Sequence, residues 1–89
     1  MKTFTKQPNE LLDYEILYEE WLGGDTIQDA QAVIDSQLIT IADTTFSDTS
    51  VKVWLEDGLD GDKAVVTVTI QTMLGRRKET EFRIKIKEI

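Results

Sequence analysis

Regular alternation of apolar and polar residues in the carboxyl half of the chain constrains the fold more than any other feature. The alternation runs through residues 51–56, 64–73 and 79–87, which are rich in β-branched side chains. Successive side chains of a strand point to opposite faces of a sheet, so a period of two indicates strands that bury one face. The positions expected in the core are Val51, Val53, Leu55, Val66, Val68, Ile70, Phe82, Ile84 and Ile86.

The segments between these strands have the composition of tight turns. Residues 57–63 contain two glycines and three aspartates, and Gly75 lies between the second and third strands. Glycine adopts positive φ freely, and aspartate bonds nearby backbone N–H groups, so both residues favour chain reversal. The pattern predicts two consecutive hairpins and a sheet with one buried face and one solvated face.

The residue pattern in the amino half of the chain does not decide between helix and strand. Residues 11–22 place apolar and aromatic side chains at helical spacing and, in their first part, in strand-like alternation. Leucine and glutamate favour the helix, whereas aromatic and β-branched residues favour the strand, so residue preferences leave both open. The remaining pattern predicts a weak strand near residues 27–34, a short strand at 38–41 and a loop at 43–50.

The composition excludes most catalytic and metal-binding classes. The 89 residues include no histidine and no cysteine, which excludes disulfides, thiolate metal sites and the most frequent general base. Asp57, Asp60 and Asp62 offer oxygen ligands in a loop, and Asp60-Gly61-Asp62 resembles the start of a calcium loop. The twelfth position counted from Asp60, which needs a liganding glutamate, is however Gln71. We therefore interpret the aspartates as turn residues and expect no metal and no cofactor.

The charge of the chain is acidic and unevenly distributed. The formal net charge is −7; residues 1–62 carry 14 acidic and 3 basic side chains, and residues 63–89 carry 3 acidic and 7 basic ones. An acidic chain is repelled by a phosphate backbone, so nucleic acid is not an expected partner. No apolar run is long enough for a membrane span, and no signal peptide is visible. The opposite charges meet either on neighbouring strands or between identical subunits in a head-to-tail ring.

Six short motifs follow one another along residues 8–89. They are LDY at 12–14, WLGGDTI at 21–27, VKVWL at 51–55, VTVTIQT at 66–72, GRR at 75–77 and EFRIKIKE at 81–88. In this order they resemble small immunoglobulin-like structural proteins of tailed phages, among them fiber-tail adaptor proteins. The resemblance implies an all-β, immunoglobulin-like β-sandwich of about six to seven short antiparallel strands, with residues 12–22 as a strand.

The domain organisation follows from the position of the first strand. Residues 1–11 are mostly polar, with a lone Phe4 and a Pro8, and we expect them to form a flexible amino-terminal arm. Residues 12–89 then form a single β-sandwich domain. An extended arm can add a strand to an exposed sheet edge of a partner, which makes Phe4 a candidate interface residue.

Four further side chains are candidates for contacts with other proteins. Trp54 lies on the polar face of its strand, where it is either covered by the 43–50 loop or the arm, or free to anchor an interface. Arg76, Arg77 and Lys78 lie at a hairpin tip, where they either solubilise the turn or bind an acidic partner.

The function implied by the resemblance is structural. We expect a non-enzymatic virion protein, made in the bacterial host cytoplasm, that binds other tail, neck, head or fiber proteins as an adaptor or decoration module. The alternative is a carbohydrate-binding or cell-surface-binding immunoglobulin-like module. That alternative requires Trp54, Tyr14 and Tyr18 to form an exposed aromatic platform.

Overall fold

The computed structural model describes residues 2–88, which form seven strands and one short helix. Helix α1 spans Glu19–Leu22 and lies between the second and third strands. The strands are β1 Lys2–Lys6, β2 Leu12–Leu17, β3 Ile27–Ile34, β4 Ile39–Phe46, β5 Ser50–Asp57, β6 Lys63–Thr72 and β7 Arg77–Ile86.

The strands form two sheets that pack as a sandwich. The four-stranded sheet has the order β1-β7-β6-β3, and the three-stranded sheet has the order β2-β5-β4. The predicted all-β sandwich is therefore confirmed, whereas its immunoglobulin-like character stays a prediction. The expectation of purely antiparallel strands is wrong at β1, which pairs in parallel with β7. No hairpin joins these two strands, so the chain is free to bring them together in the same direction.

The core consists of the positions that the alternation assigned to the buried face. All nine predicted residues on β5, β6 and β7 are at most 3% exposed. Burial of each such aliphatic or aromatic side chain contributes about 1.5–3 kcal/mol to the free energy of unfolding. The amino half and the start of β6 complete the core with Tyr14, Tyr18, Leu22, Ile27, Ile39 and Ala64.

Residues 12–22 combine the two structures between which the sequence did not decide. The strand β2 ends at Leu17, which is exposed and breaks the alternation. Tyr18 and Leu22 are four residues apart and both buried, because the chain forms the single helical turn α1 between them. Gly23 ends that turn in the left-handed conformation, with its N–H donating to the Glu19 carbonyl over 3.2 Å. The predicted strand is correct for 12–17 and wrong for 19–22.

The amino-terminal residues lie in the sandwich. Residues 2–6, which we expected in an arm, form β1 along the edge of β7. The Phe4 ring packs 4.9 Å from the ring of Tyr14, and the buried Lys6 donates through Nζ to the Gln7 and Glu10 carbonyls over 2.7 and 2.9 Å. Through these contacts the segment buries the Phe4 ring and the Lys6 side chain, which its polar composition did not suggest. The mobility of residues 1–11 in solution stays a prediction, and Met1 lies outside the described residues.

The predicted loop at 43–50 is mostly strand. β4 continues to Phe46 and β5 begins at Ser50, so only three residues connect them. The register of β4 shifts between Ile41 and Asp43, which indicates a β-bulge. A bulge interrupts the alternation along a strand, and the polar residues that follow it therefore read as a loop in the sequence.

The β5–β6 connection closes one end of the core. Gly58 has a φ of 105°, and a Cβ atom at this position would lie 2.7 Å from Cγ1 of Ile86. The turn is held to the end of β7 because the Gly61 N–H donates to the Ile86 carbonyl and the Ile86 N–H donates to the Asp62 carbonyl, both over 2.8 Å. Only glycine fits a position with this backbone conformation and this close a neighbour.

Candidate protein-binding surface

The β6–β7 connection, at the opposite end of β6, is a tight turn with its own hydrogen bonds. The Thr72 N–H donates to the Arg76 carbonyl over 2.8 Å, and the Thr72 hydroxyl oxygen accepts from the Arg76 N–H over 2.9 Å. Gly75 has a φ of 90° and donates its N–H to the Thr72 carbonyl over 3.0 Å. The local bonds define the shape of the turn, and contacts from a distant segment hold it in place.

A buried carboxylate provides the first of these contacts. The Asp25 side chain is 1% exposed and accepts hydrogen bonds from the N–H groups of Thr26 and Leu74 over 2.8 and 3.3 Å. Its other oxygen accepts from Nε and Nη2 of Arg76 over 3.2 and 3.1 Å. Burial alone would raise the pKa of Asp25, but hydrogen bonds from Thr72, Thr26, Arg76 and Leu74 together hold it below its ordinary value of 3.8. Asp25 is therefore charged at neutral pH.

The guanidinium of Arg76 joins the turn to helix α1. Its Nη2 also donates to the Leu22 carbonyl over 2.7 Å, near the carboxyl end of the helix. Its Cζ lies 4.4 Å from the centre of the Trp21 ring, and Nζ of Lys78 lies 5.3 Å from the same centre. Cations are favoured both over an aromatic face and near carbonyls at a helix end. Arg76 thus connects the β6–β7 turn to helix α1 and to Asp25.

The turn held in this way presents apolar side chains to solvent. Met73 is 63% exposed and Leu74 is 78% exposed. Their backbone is fixed, since the Met73 N–H donates to the Thr26 carbonyl over 2.9 Å and the Leu74 N–H bonds Asp25. A rigid surface loses less conformational entropy on binding than a mobile loop does. We call Met73, Leu74, Arg77 and Lys78 the tip surface.

The structure separates the three basic residues predicted at this tip. Arg76 is engaged within the chain, Arg77 is exposed, and Lys78 lies partly buried beside Trp21. Sequence reasoning missed Met73 and Leu74. Their signal was the adjacent apolar pair between Thr72 and Gly75, where the alternation of β6 has already ended.

The other two candidate residues lie elsewhere in the molecule. Trp54 is partly buried on the outer face of the three-stranded sheet, and residues 43–46 lie beside it as part of β4. Phe4 faces inward in the other sheet, against the rings of Tyr14 and Phe82. The five predicted side chains therefore do not form a single site.

The aromatic platform required by the carbohydrate-binding alternative is absent from residues 2–88. Tyr14 and Tyr18 are 8% and 3% exposed, so their rings belong to the core and cannot share a surface with Trp54. Burial, with a smaller contribution from the nearby Glu10 and Asp13 carboxylates, raises the pKa of Tyr14 to about 12. A strand places alternate residues on opposite faces, and the sequence alone did not show which face Tyr14 takes.

The aspartates of the β5–β6 connection bond backbone groups. Oδ2 of Asp62 accepts from the Leu59 N–H, and Oδ1 of Asp60 accepts from the Glu88 N–H, both over 2.8 Å. Within the described part of the chain, no three acidic side chains cluster as metal ligands would. No helix in residues 2–88 is long and apolar enough to cross a membrane. That the chain requires no cofactor stays a prediction.

Comparison with known proteins identifies the family. The family model described as podophage GP4 fiber-tail adaptor protein gp77 matches residues 6–85, which includes every strand from β2 to β6 and nearly all of β7. No curated protein matches the chain. The resemblance to phage fiber-tail adaptors seen in the sequence motifs is confirmed. The chain belongs to the podophage GP4 fiber-tail adaptor protein gp77 family.

Proposed function

We propose that the chain is a non-enzymatic connector of a podophage virion, and that the tip surface binds another tail, neck or fiber protein. Membership of an adaptor family supports a structural role in the virion. The absence of histidine and cysteine supports the non-enzymatic part of the proposal, because the commonest general base and the thiol nucleophile are missing.

The observation that carries the proposal is the rigid, apolar end of the β6–β7 turn. Single exposed apolar side chains are ordinary on protein surfaces. Here two adjacent ones are held outward by the ion pair between the buried Asp25 and the partly exposed Arg76, which are 51 positions apart. These hydrogen bonds do not bury the apolar side chains of the turn. We therefore interpret them as holding Met73 and Leu74 in position for contact with a partner.

The chemistry of the tip defines the partner. Met73 and Leu74 require an apolar pocket, and methionine adapts well to irregular pockets. Arg77 and Lys78 follow Leu74 after two intervening residues, and neither forms an ion pair within residues 2–88. The complementary surface is an apolar pocket with acidic residues at its rim.

The test replaces both apolar side chains in the phage that encodes the chain. Met73→Ser/Leu74→Ser should fold normally, with a free energy of unfolding within about 0.5 kcal/mol of the parent, because both side chains are exposed. We expect particles with the double variant to lose fibers in electron micrographs and to lose infectivity.

The matched control is Leu59→Ser, which removes a leucine that is 62% exposed at the other end of β6. Control particles should keep their fibers. Normal fibers and infectivity in the Met73→Ser/Leu74→Ser particles would exclude the tip as the contact. Complete, infectious particles after deletion of the whole gene would contradict the connector role itself.

A further inference from the structure

The last strand of the domain has a neighbour along only part of one side. β7 pairs with β6 along residues 77–85, whereas on its other side it pairs with β1 along residues 82–86 only. Residues 77–81 therefore have no strand beside them on that side within the described part of the chain. We call residues 79–81, which follow the tip surface in the chain, the open edge of β7.

The hydrogen bonds of β7 show which backbone groups face the open edge. The bonds of Arg76 and Ile86 are directed toward β6 and the turn before it. Partners in an antiparallel ladder alternate, so the even-numbered residues of β7 bond β6 and the odd-numbered ones face away from it. In agreement, the N–H of Lys87 donates to the Lys6 carbonyl over 3.0 Å. The N–H and the carbonyl of Glu79 therefore face the open edge, where no residue of 2–88 bonds them.

The other sheet also has an unpaired edge, along β2. This strand is the outer one of its sheet and pairs only with β5 among the described strands. The Tyr18 N–H continues their ladder by donating to the Thr49 carbonyl over 2.9 Å. The same alternation directs the backbone groups of Glu15 and Leu17 away from β5.

A cavity of about 510 Å³ lies between these two edges. Its wall consists of Lys2 and Phe4 of β1, residues 14–17 of β2 and residues 80–82 of β7. Tyr14 and Phe82 are buried in the core, and Phe4 and Ile16 are packed against it. Cavities of about 300–1,000 Å³ with mostly apolar walls are those that hold ligands in other proteins. The space is therefore large enough for an apolar side chain.

Two residues of the cavity wall carry buried hydroxyl groups without a hydrogen-bond partner. Oη of Tyr14 and Oγ1 of Thr80 are covered from solvent, and no atom of residues 2–88 bonds them. The Thr80 oxygen lies near the Tyr18 hydroxyl, but outside the geometry of a hydrogen bond. Buried polar atoms nearly always have a partner in a native protein. The wall of the cavity thus retains hydrogen-bonding capacity that the chain itself does not use.

The charged side chains of the wall have a net negative charge. Glu15 and Glu81 come from the two opposing strands, and Lys2 is the basic residue among them. All three are exposed, and none forms an ion pair within residues 2–88. A segment with basic side chains complements this border.

We propose that an extended, net basic segment of a different protein binds along the open edge of β7. Its backbone bonds the N–H and carbonyl of Glu79, and one of its apolar side chains enters the cavity against Phe4 and Ile16. In such strand addition, main-chain hydrogen bonds supply affinity, and a pocket for an alternate side chain supplies specificity. The segment would continue, beyond Lys2, the row of pairs that β1 makes with β7.

An extended segment fits this site better than a small apolar molecule does. A small molecule could fill the cavity, but it would leave the backbone groups of Glu79 without a partner. A segment in strand conformation satisfies the backbone and the cavity together. This inference gives the connector a second contact and uses no residue of the tip surface, so it stands or fails apart from the proposed function.

The test uses overlapping 15-residue peptides that cover every structural protein of the phage that encodes the chain, this chain included. Fluorescence anisotropy measures their binding to the full chain. At least one peptide from another protein should bind, and its complex should slow hydrogen exchange of the Glu79 amide at least about tenfold. The proposal would be overturned if no peptide bound at about 1 mM, or if only peptides of this chain bound.

A proline at the open edge separates strand addition from other modes of binding. Glu79→Pro removes the N–H that faces the open edge and leaves the bonds between β7 and β6 in place, since proline is tolerated at a strand edge. Glu79→Ala is the matched control, because it loses the same carboxylate but keeps the N–H. The peptide should bind the proline variant at least about tenfold more weakly than the alanine variant. Equal binding by the two would contradict a backbone contact at Glu79.

A second variant tests the cavity without altering the backbone of β7. Ile16→Trp places a larger ring at the cavity wall and should weaken peptide binding at least about tenfold. Circular dichroism checks that each variant is folded. Met73→Ser/Leu74→Ser should bind the peptide as the parent does, which distinguishes this site from the tip surface. Unchanged binding by Ile16→Trp, or loss of binding by the tip variant, would place the peptide elsewhere and overturn the proposal.

Discussion

The turns at the two ends of β6, which connect it to β5 and to β7, are stabilised in different ways. At one end, Gly58 packs against Ile86 and the turn closes the core. At the other end, the charged pair of Asp25 and Arg76 holds a turn whose apolar side chains face solvent. A turn that closes the core is stabilised by what it buries. A turn that presents side chains buries little, so hydrogen bonds from elsewhere must hold it.

Among substitutions in the two turns, that of Gly58 should have the largest effect on the free energy of unfolding. Gly58→Ala combines a backbone conformation unfavourable for alanine with an overlap at Ile86, so it should lower the free energy of unfolding by about 3 kcal/mol or more. Gly61→Ala is the control, because its φ is 91° but no atom lies within 4 Å of the added Cβ. It should cost about 1–2 kcal/mol. Denaturant titration measures both, and equal losses would show that the contact with Ile86 contributes nothing.

Removal of the arginine at the other end should have a smaller effect. Arg76→Met deletes the donors to Asp25 and Leu22 and leaves a buried carboxylate without its cation. We expect the melting temperature to fall by roughly 10 °C. Lys78→Met is the matched control, because Lys78 makes only a longer contact with Trp21. Equal melting of the two variants would mean that the ion pair does not hold the turn.

The smallest expected effect is a dependence of the unfolding free energy on pH. It distinguishes the contribution of the Asp25 charge from that of the side chain's size at the same turn. The folded-state pKa of Asp25 lies below its ordinary value of 3.8, so its contribution to stability is present above pH 3.8 and is lost as the pH falls through the folded-state value. Asp25→Asn removes this dependence and keeps the side-chain size. The difference in unfolding free energy between parent and variant should shrink below pH 3.8. A difference that stays constant from pH 7 to pH 2 would contradict a role for the charge.

The same two turns show what can be predicted from the sequence. The β5–β6 connection was predictable, because its glycines and aspartates act on residues beside them in the chain. The interactions that hold the β6–β7 turn in place were not predictable, because Asp25 and Arg76 are 51 positions apart and no periodic pattern relates them. Arg76 therefore looked like a free surface cation.

Errors in the amino half have a related cause. The parallel pairing of β1 depends on contacts with Tyr14 and Phe82 and on backbone carbonyls that bind the Lys6 ammonium. None of these contacts produces alternation in residues 2–6. Residues 11–22 carried both a helical and a strand pattern, and the division into a strand at 12–17 and a single helical turn at 19–22 could not be predicted from either pattern alone.

The parallel pair of β1 and β7 also determines how the domain responds to mechanical force. Lys2 lies beside Phe82 and Lys6 beside Ile86, so the two strands run side by side over five residue pairs. Tension that pulls Lys2 backward and Ile86 forward acts along the strands and loads all five pairs together. Tension applied across the strands opens them one at a time. The domain should therefore resist stretching along β7 far better than peeling of β1, and its strength should depend on the direction from which the load arrives.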